Sequence, residues 1–310
     1  MSALPNRASE KDSQKQMAPE AKMRISSAAA NGKHEQSLIS AAKFRQLFEL
    51  ALKVQLLGSR GDGVGTDWLR GREAVVAGVA ADLRGDDGVV GEQAESLAHL
   101  LREQAPFGLA KRSFEERVIE ALSEAVADRM RKTGRVRVIF SDGTGKGARD
   151  VGRAAKVMEE AREIASSAKL AVLFIEDGAL ESNAKGKLKG KAKSPEQMKA
   201  GEMPAIPVGA QDVVAMYRVA HESIARAREG GGPTRIVGVR WAVSARGRKG
   251  ASLGTESEDA VAHLEQWLTA RGLPALEWRR EIEGEFEARV AHDTRQNATA
   301  DEDSETLAIA

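Results

Sequence analysis

The run Leu170-Ala171-Val172-Leu173-Phe174-Ile175 contains no polar side chain. Successive side chains of a strand point to opposite faces, so a strand wetted on one face alternates apolar and polar residues. A run that is apolar at every position needs cover on both faces, the situation of a parallel strand between two layers of helices. Upstream, Val136, Val138, Ile139 and Phe140 read as a second buried strand. The loop Ser141-Asp142-Gly143-Thr144-Gly145-Lys146-Gly147 and a helix from about Ala148 to Ser166 join the two. Parallel neighbours require such a crossover. The pattern recurs downstream, where Val213–Glu229 has helical spacing, Gly230-Gly231-Gly232-Pro233 breaks it, and Ile236–Val243 reads as another strand. These features predict an α/β fold: an open, mainly parallel sheet with helices on both faces.

Further helices are predicted on either side of this unit. Leu38, Ile39, Ala42, Leu47, Leu50, Ala51, Val54 and Leu57 recur at helical spacing up to Gly58. Others are expected over Arg72–Leu83, Glu92–Glu103, Phe114–Lys132, Glu258–Ala270 and Leu276–Ala291. Residues 1–36 hold few large apolar side chains and read as a disordered polar tail; residues 297–310 read as an acidic tail. The α/β domain is expected over residues 37–296. Asn183–Pro207, with Lys185, Lys187, Lys189, Lys191 and Lys193 alternating among small residues, reads as a long basic loop.

Composition removes several chemistries. With no cysteine among 310 residues there is no thiolate catalysis, disulfide or cysteine-ligated metal. The net charge of +1 supplies no global field for nucleic acid or an anionic membrane, and no apolar stretch is long enough to span a bilayer. No apolar signal core opens the chain, so the expected location is the cytoplasm. The histidines (His34, His99, His221, His263, His292) lack metal-ligand spacing, and G-x-S-x-G is absent. The Lys185–Lys193 stretch reads as a solvated loop or as a contact for an acidic partner; without interleaved aromatics it does not suit base stacking. Arg246, Arg248 and Lys249 form a second basic cluster beyond a predicted strand.

In open parallel sheets, ligands bind at the carboxyl ends of the strands. The Asp142–Gly147 loop is predicted to lie at such an end. Its glycines allow backbone amides to approach a phosphate, the following helix start favours an anion, and Asp142 suits a divalent cation. Its spacing matches neither G-x-x-x-x-G-K-[ST] nor G-x-G-x-x-G, so these residues alone leave ligand binding and an ordinary glycine-rich turn both open.

Several segments in collinear order resemble the alpha subunit of the thiamine diphosphate-dependent 2-oxo acid dehydrogenases, of the pyruvate and branched-chain type. Met203-Pro204-Ala205-Ile206-Pro207-Val208 resembles the family's Met-Pro-Gly-Ile stretch, and Asp212-Val213-Val214-Ala215-Met216-Tyr217 its Asp-Val-Xaa-Ala-Val-Tyr helix. Gly232-Pro233-Thr234 is similar to its Gly-Pro-Thr turn, and Gly71-Arg72-Glu73-Ala74 to its Gly-Gln-Glu-Ala segment. The Phe44–Leu57 helix is similar to its N-terminal helix. Ser141-Asp142-Gly143 falls where the family has Gly-Asp-Gly, and Leu170–Asp177 resembles the strand that closes the cofactor motif.

The resemblance, which covers roughly Leu38 to Ala291, implies a thiamine diphosphate-binding type of sheet. It implies Asp142, Gly143 and Thr144 at the cofactor, and Asp142 with Asp177 at magnesium. It also implies oxidative decarboxylation of a 2-oxo acid with acyl transfer to a lipoyl carrier, and assembly with a beta-like subunit or as a homodimer. This sequence departs from the family where its chemistry resides. The closing Asn-Asn pair falls on Asp177 and Gly178, the Tyr-Arg segment on Val89–Gln93, and the Gly-His-Ser histidine near Arg246 and Gly247. Asp177 would attract the metal yet repel the diphosphate. Three readings follow: a working dehydrogenase subunit, a related chain with weakened or lost catalysis serving a structural or regulatory role, and a binder of another phosphorylated ligand.

Overall fold

The computed structural model describes residues 39–59, 66–91, 112–142, 151–178, 203–239 and 259–290. The chain divides into two compact units, Met1–Phe44 and Arg45–Ala310. Of the first, residues 39–44 are described, with the start of helix α1 (Ala41–Ser59). The second holds the elements that follow. These are a 3₁₀ turn (Thr66–Leu69), α2 (Glu73–Ala80), β1 (Gly88–Gly91), α3 (Phe114–Arg131), β2 (Arg137–Asp142) and α4 (Val151–Ser167). Then come β3 (Val172–Gly178), β4 (Ala205–Gly209), α5 (Val213–Arg228), β5 (Thr234–Val239), α6 (Ala260–Thr269) and α7 over 275–290.

The strands form one sheet in the order β1-β2-β3-β5-β4, and every pairing is parallel. From β1 to β3 the chain moves across the sheet in one direction; from β4 to β5 it moves back. Right-handed crossovers taken in opposite directions put their helices on opposite faces. The side chains agree. Ile139, Val172 and Phe174 pack with Val118, Leu122 and Ala125 of α3 and Met158, Ala161 and Ala165 of α4. Their strand neighbour Phe140 meets Trp68 edge-on, with centroids 6.5 Å apart. The all-apolar run is therefore a strand buried on both faces, as the sequence predicts.

The helix ends have local causes. Ser113 and Glu116 make a reciprocal capping box at the start of α3, while Asp212 accepts from Ala215 N at α5 and Asp259 from Val261 N and Ala262 N at α6. After α5 the chain turns through Gly230 and Gly232, whose φ angles of 81° and 84° suit glycine.

Two strands differ from the sequence expectation. Gly88–Gly91, which overlaps the Val89–Gln93 stretch set against a family motif, is the edge strand β1, and the last residues of the predicted basic loop open β4 at the other edge. Pro207 lacks an N–H and fits an edge strand, where no second neighbour requires one. The predicted helix over 92–103, most of the basic loop, the Arg246–Lys249 cluster and both tails lie outside the described residues. No helix among the described residues is long and apolar enough to cross a membrane.

Two contacts fix the layers. All of α2 is buried, and Gly78 meets α5 so closely that a Cβ there would lie 2.8 Å from Tyr217 N and 2.7 Å from Met216 Cγ. Asp87 is 0% exposed; its Oδ1 accepts from Val136 N at 2.8 Å, and its Oδ2 accepts from Arg84 N at 2.8 Å and from Arg228 Nη2 at 2.5 Å. Gly78→Ala is expected to destabilise by about 1–3 kcal/mol, read as a lower urea midpoint, because overpacking against backbone outweighs alanine's helix propensity. Asp87→Ala is expected to cost about 3–5 kcal/mol, since it leaves Arg228 buried without its partner. Adding Arg228→Met should recover much of that loss in the same denaturation measurement.

Candidate functional site at the carboxyl ends of the strands

Asp142 is the last residue of β2, and the register of the parallel pair sets it opposite Asp177 of β3. The two acidic residues named by the sequence thus stand on neighbouring strands at the same edge, with backbones about 4.8 Å apart by the spacing of paired strands. Gly143 and Thr144, the other residues assigned to the cofactor, lie outside the described residues. On its other side Asp177 pairs with Gly238 of β5. Open parallel sheets bind ligands at the carboxyl ends of their strands.

Glu176 precedes Asp177 and is 7% exposed. Its Oε1 accepts from Arg162 Nη2 of α4 at 2.6 Å and its Oε2 from Arg235 Nη2 of β5 at 2.5 Å. Both oxygens are committed, so Glu176 ties α4 and β5 to β3 and is not a metal ligand. Among the described residues no three His, Asp or Glu side chains form a metal-binding group. His221 pairs with Asp82 and His263 is exposed on α6; neither belongs to this edge.

Sequence reasoning missed Arg117. The last turn of α3 lies at the amino ends of the strands, because Asp128 binds Arg137, the first residue of β2, and Arg129 donates to the Lys169 carbonyl just before β3. Eighteen residues of helix then carry the chain about 27 Å back across the sheet, so the first turn of α3, with Arg117, lies at the carboxyl edge. Arg117 is 9% exposed, and its Nε is buried without a hydrogen-bond partner.

Six other arginines have a buried, unbonded Nε, and each places another nitrogen on a carboxylate or a backbone carbonyl. Arg117 has no such partner among the described residues. Burial pushes its guanidinium below the usual arginine value, with the Glu115 charge opposing that shift. Its place in the first helical turn adds a further cost, because the helix dipole disfavours a cation there. The signal in the sequence was an arginine among the buried positions of α3, between capping Glu116 and core Val118.

Long helical side chains lean towards the helix N-terminus, here towards the ends of β1 and β2. The edge therefore holds two acidic strand ends and a guanidinium with no carboxylate or carbonyl hydrogen bond among the described residues. That combination suits an anion bridged to a divalent cation, with hard carboxylate oxygens for the metal and a planar fork of donors for a phosphate or carboxylate.

No protein-family model and no curated protein matches the chain. Solved structures similar to it include an enzyme from Mycobacterium smegmatis assigned as thiamin diphosphate-dependent, at 17% identity and TM-score 0.34 over 54% of this chain and 31% of that one. They also include a transketolase from Campylobacter jejuni subsp. jejuni, at 14% identity and TM-score 0.39 over 81% and 48% of the two chains. A third is a transketolase from Pichia stipitis, at 10% identity and TM-score 0.38 over 81% and 47%. The chain spans less than half the length of each. These alignments give no residue a role.

Arg117→Met is expected to raise stability by about 1 kcal/mol or more in chemical denaturation, because it replaces a buried cation that has no carboxylate partner among the described residues with an apolar chain of similar length. The same exchange at Arg137 or Arg228, whose carboxylate partners are buried, should lower stability.

Proposed function

We propose that the carboxyl-edge crevice binds thiamine diphosphate with a magnesium ion. In this reading the chain is a divergent relative of the 2-oxo acid dehydrogenase alpha subunits, with weakened or lost catalysis. The observation that carries the reading is the register of β2 and β3, with Asp142 opposite Asp177 at the strand ends. The donor chemistry fits: carboxylate oxygens suit magnesium, and the Arg117 guanidinium, whose Nε has no partner among the described residues, suits a diphosphate. Asp142 and Asp177 would hold the metal, and Arg117 would offset the charge that an aspartate adds where the family has asparagine. When bound, the cofactor would supply the chemistry for decarboxylating a 2-oxo acid. This chain's residues would position it and exclude water.

The family's Tyr-Arg segment has no counterpart here, since Gly88–Gly91 is an edge strand buried beside β2. Its histidine falls near Arg246 and Gly247, outside the described residues. Weak or absent turnover by the isolated chain follows from these departures. A beta-like subunit or a second copy of the chain would be the natural assembly partner, and the cytoplasm the natural location. A second reading is favoured by Arg117 itself: a guanidinium binds any phosphate bidentately, so another phosphorylated ligand fits the same edge.

Calorimetry of the full chain with thiamine diphosphate and magnesium, alone and with a beta-like partner, tests the proposal. Saturable, magnesium-dependent binding is expected. Asp142→Ala should abolish it, and Arg117→Met should weaken it about tenfold or more, the worth of one charge-assisted hydrogen bond. No binding in either setting rejects the reading, and binding of inorganic pyrophosphate alone favours the second one.

A further inference from the structure

A cavity of about 640 Å³ lies at the opposite, amino edge of the sheet, between the last turns of α4 and α5 and the first residues of β4 and β5. Its volume falls within the range of small-molecule sites. One wall is apolar, formed by Met203, Pro204, Ile206 and Val219. Ser223, Lys169 and Arg226 face it, with Glu222 as the acidic member of the lining.

The polar groups are arranged unusually. Ser123 and Ser167 donate to the carbonyls of Ile119 and Glu163 four residues earlier, the ordinary way for a helical serine to satisfy its hydroxyl. Ser223 is 4% exposed and makes no such bond; its hydroxyl has no protein partner among the described residues and lines the cavity. A hydroxyl that faces the cavity with no protein partner is free to bond a ligand there.

Lys169 stands against Gly232, where a Cβ would meet its Cα at 3.6 Å, and its ammonium has no carboxylate partner among the described residues. Its backbone sits at φ 46°, the left-handed region that favours glycine, so the position keeps a long cation against local preference. Arg226 uses Nη2 to hold the Pro233 carbonyl at 2.8 Å and Thr234 Oγ1 at 3.0 Å. That anchors the glycine turn and leaves its other nitrogens available. Two cations and one carboxylate give the lining a positive balance.

We propose that this cavity binds a small aliphatic carboxylate. The carboxylate would accept from Ser223, Lys169 and Arg226, and the alkyl chain would lie along Met203, Ile206 and Val219. The site is at the other end of the strands from the crevice proposed for thiamine diphosphate and does not depend on that reading.

Calorimetry of the full chain with hexanoate, hexanol and inorganic phosphate separates the contributions. Hexanoate should bind with one site per chain, and hexanol and phosphate at least tenfold more weakly, because each lacks one half of the recognised group. Ser223→Ala should weaken hexanoate several-fold and Lys169→Gln about tenfold. Neither substitution disturbs a protein–protein bond, and thermal unfolding of each variant checks that it folds. Arg117→Met should leave hexanoate binding unchanged while it alters pyrophosphate binding at the carboxyl edge. Absence of saturable hexanoate binding in the millimolar range overturns the proposal. So does equal binding of hexanol, or wild-type affinity in both the Ser223 and Lys169 variants.

Discussion

A carboxylate removed from water and still charged must be compensated from several directions, and Asp87 organises this fold around that requirement. It receives a backbone amide from the start of β2, one from the turn before β1 and the guanidinium of Arg228 from the end of α5. These groups come from an edge strand, its neighbour and a helix that packs beside β3, β4 and β5. No two of them are close in sequence. Assembling them sets the start of β1 against the start of β2 and fixes the end of α5 relative to both. The remaining register follows from hydrogen bonding along each parallel pair. Buried ion pairs contribute little net stability, but each partner is costly to leave alone, so the cluster penalises alternative packings more than it stabilises the native one.

The same logic explains the other internal charges. Asp128 meets Arg137, and Glu176 meets Arg162 and Arg235. Each pair bridges a helix and a strand, or two strands, at a place where hydrophobic contacts alone would allow sliding. Paired charge therefore marks scaffold. Arg117 and Ser223 are the reverse: the Arg117 Nε and the Ser223 hydroxyl have no hydrogen-bond partner among the described residues, one at each end of the sheet. Natural sequences tolerate such local inconsistency mainly where a ligand resolves it.

The sequence made the central strands legible because burial on two faces demands unbroken apolar residues, and β2 and β3 have them. Helices α3, α5 and α6 were legible from their periodicity and from Ser113, Asp212 and Asp259. The edge strands were not. β1 has four residues bounded by glycines, and β4 contains an exposed Pro207 among half-buried positions, so neither shows the pattern that a central strand must. Asp142 and Asp177 could be named from motif position, but their juxtaposition is a matter of register, which no local pattern encodes. Arg117 escaped notice because arginines are common on helices; its significance lies in lacking a partner, a property of the packed state alone.

If the carboxyl edge binds as proposed, the residue types at positions 142 and 177 limit what it would hold. Two acidic residues in register on adjacent strands repel each other unless a cation intervenes. A divalent ion gains from the second carboxylate through added charge and donor oxygens. A diphosphate on that ion loses, because its own negative charge approaches an additional anion. An asparagine at the second position would give the metal a neutral oxygen and spare the diphosphate. The aspartate therefore shifts the balance towards the metal and away from the anion, and a guanidinium at the same edge restores it. On the proposed reading Arg117 and Asp177 would be a coupled pair of departures: the arginine would make a phosphate tolerable where the aspartate makes it less so. A chain with Asp177 and no basic residue at that edge would hold a bare cation in preference to a nucleotide-like ligand; this chain has both, and the combination is what makes an anion site physically coherent.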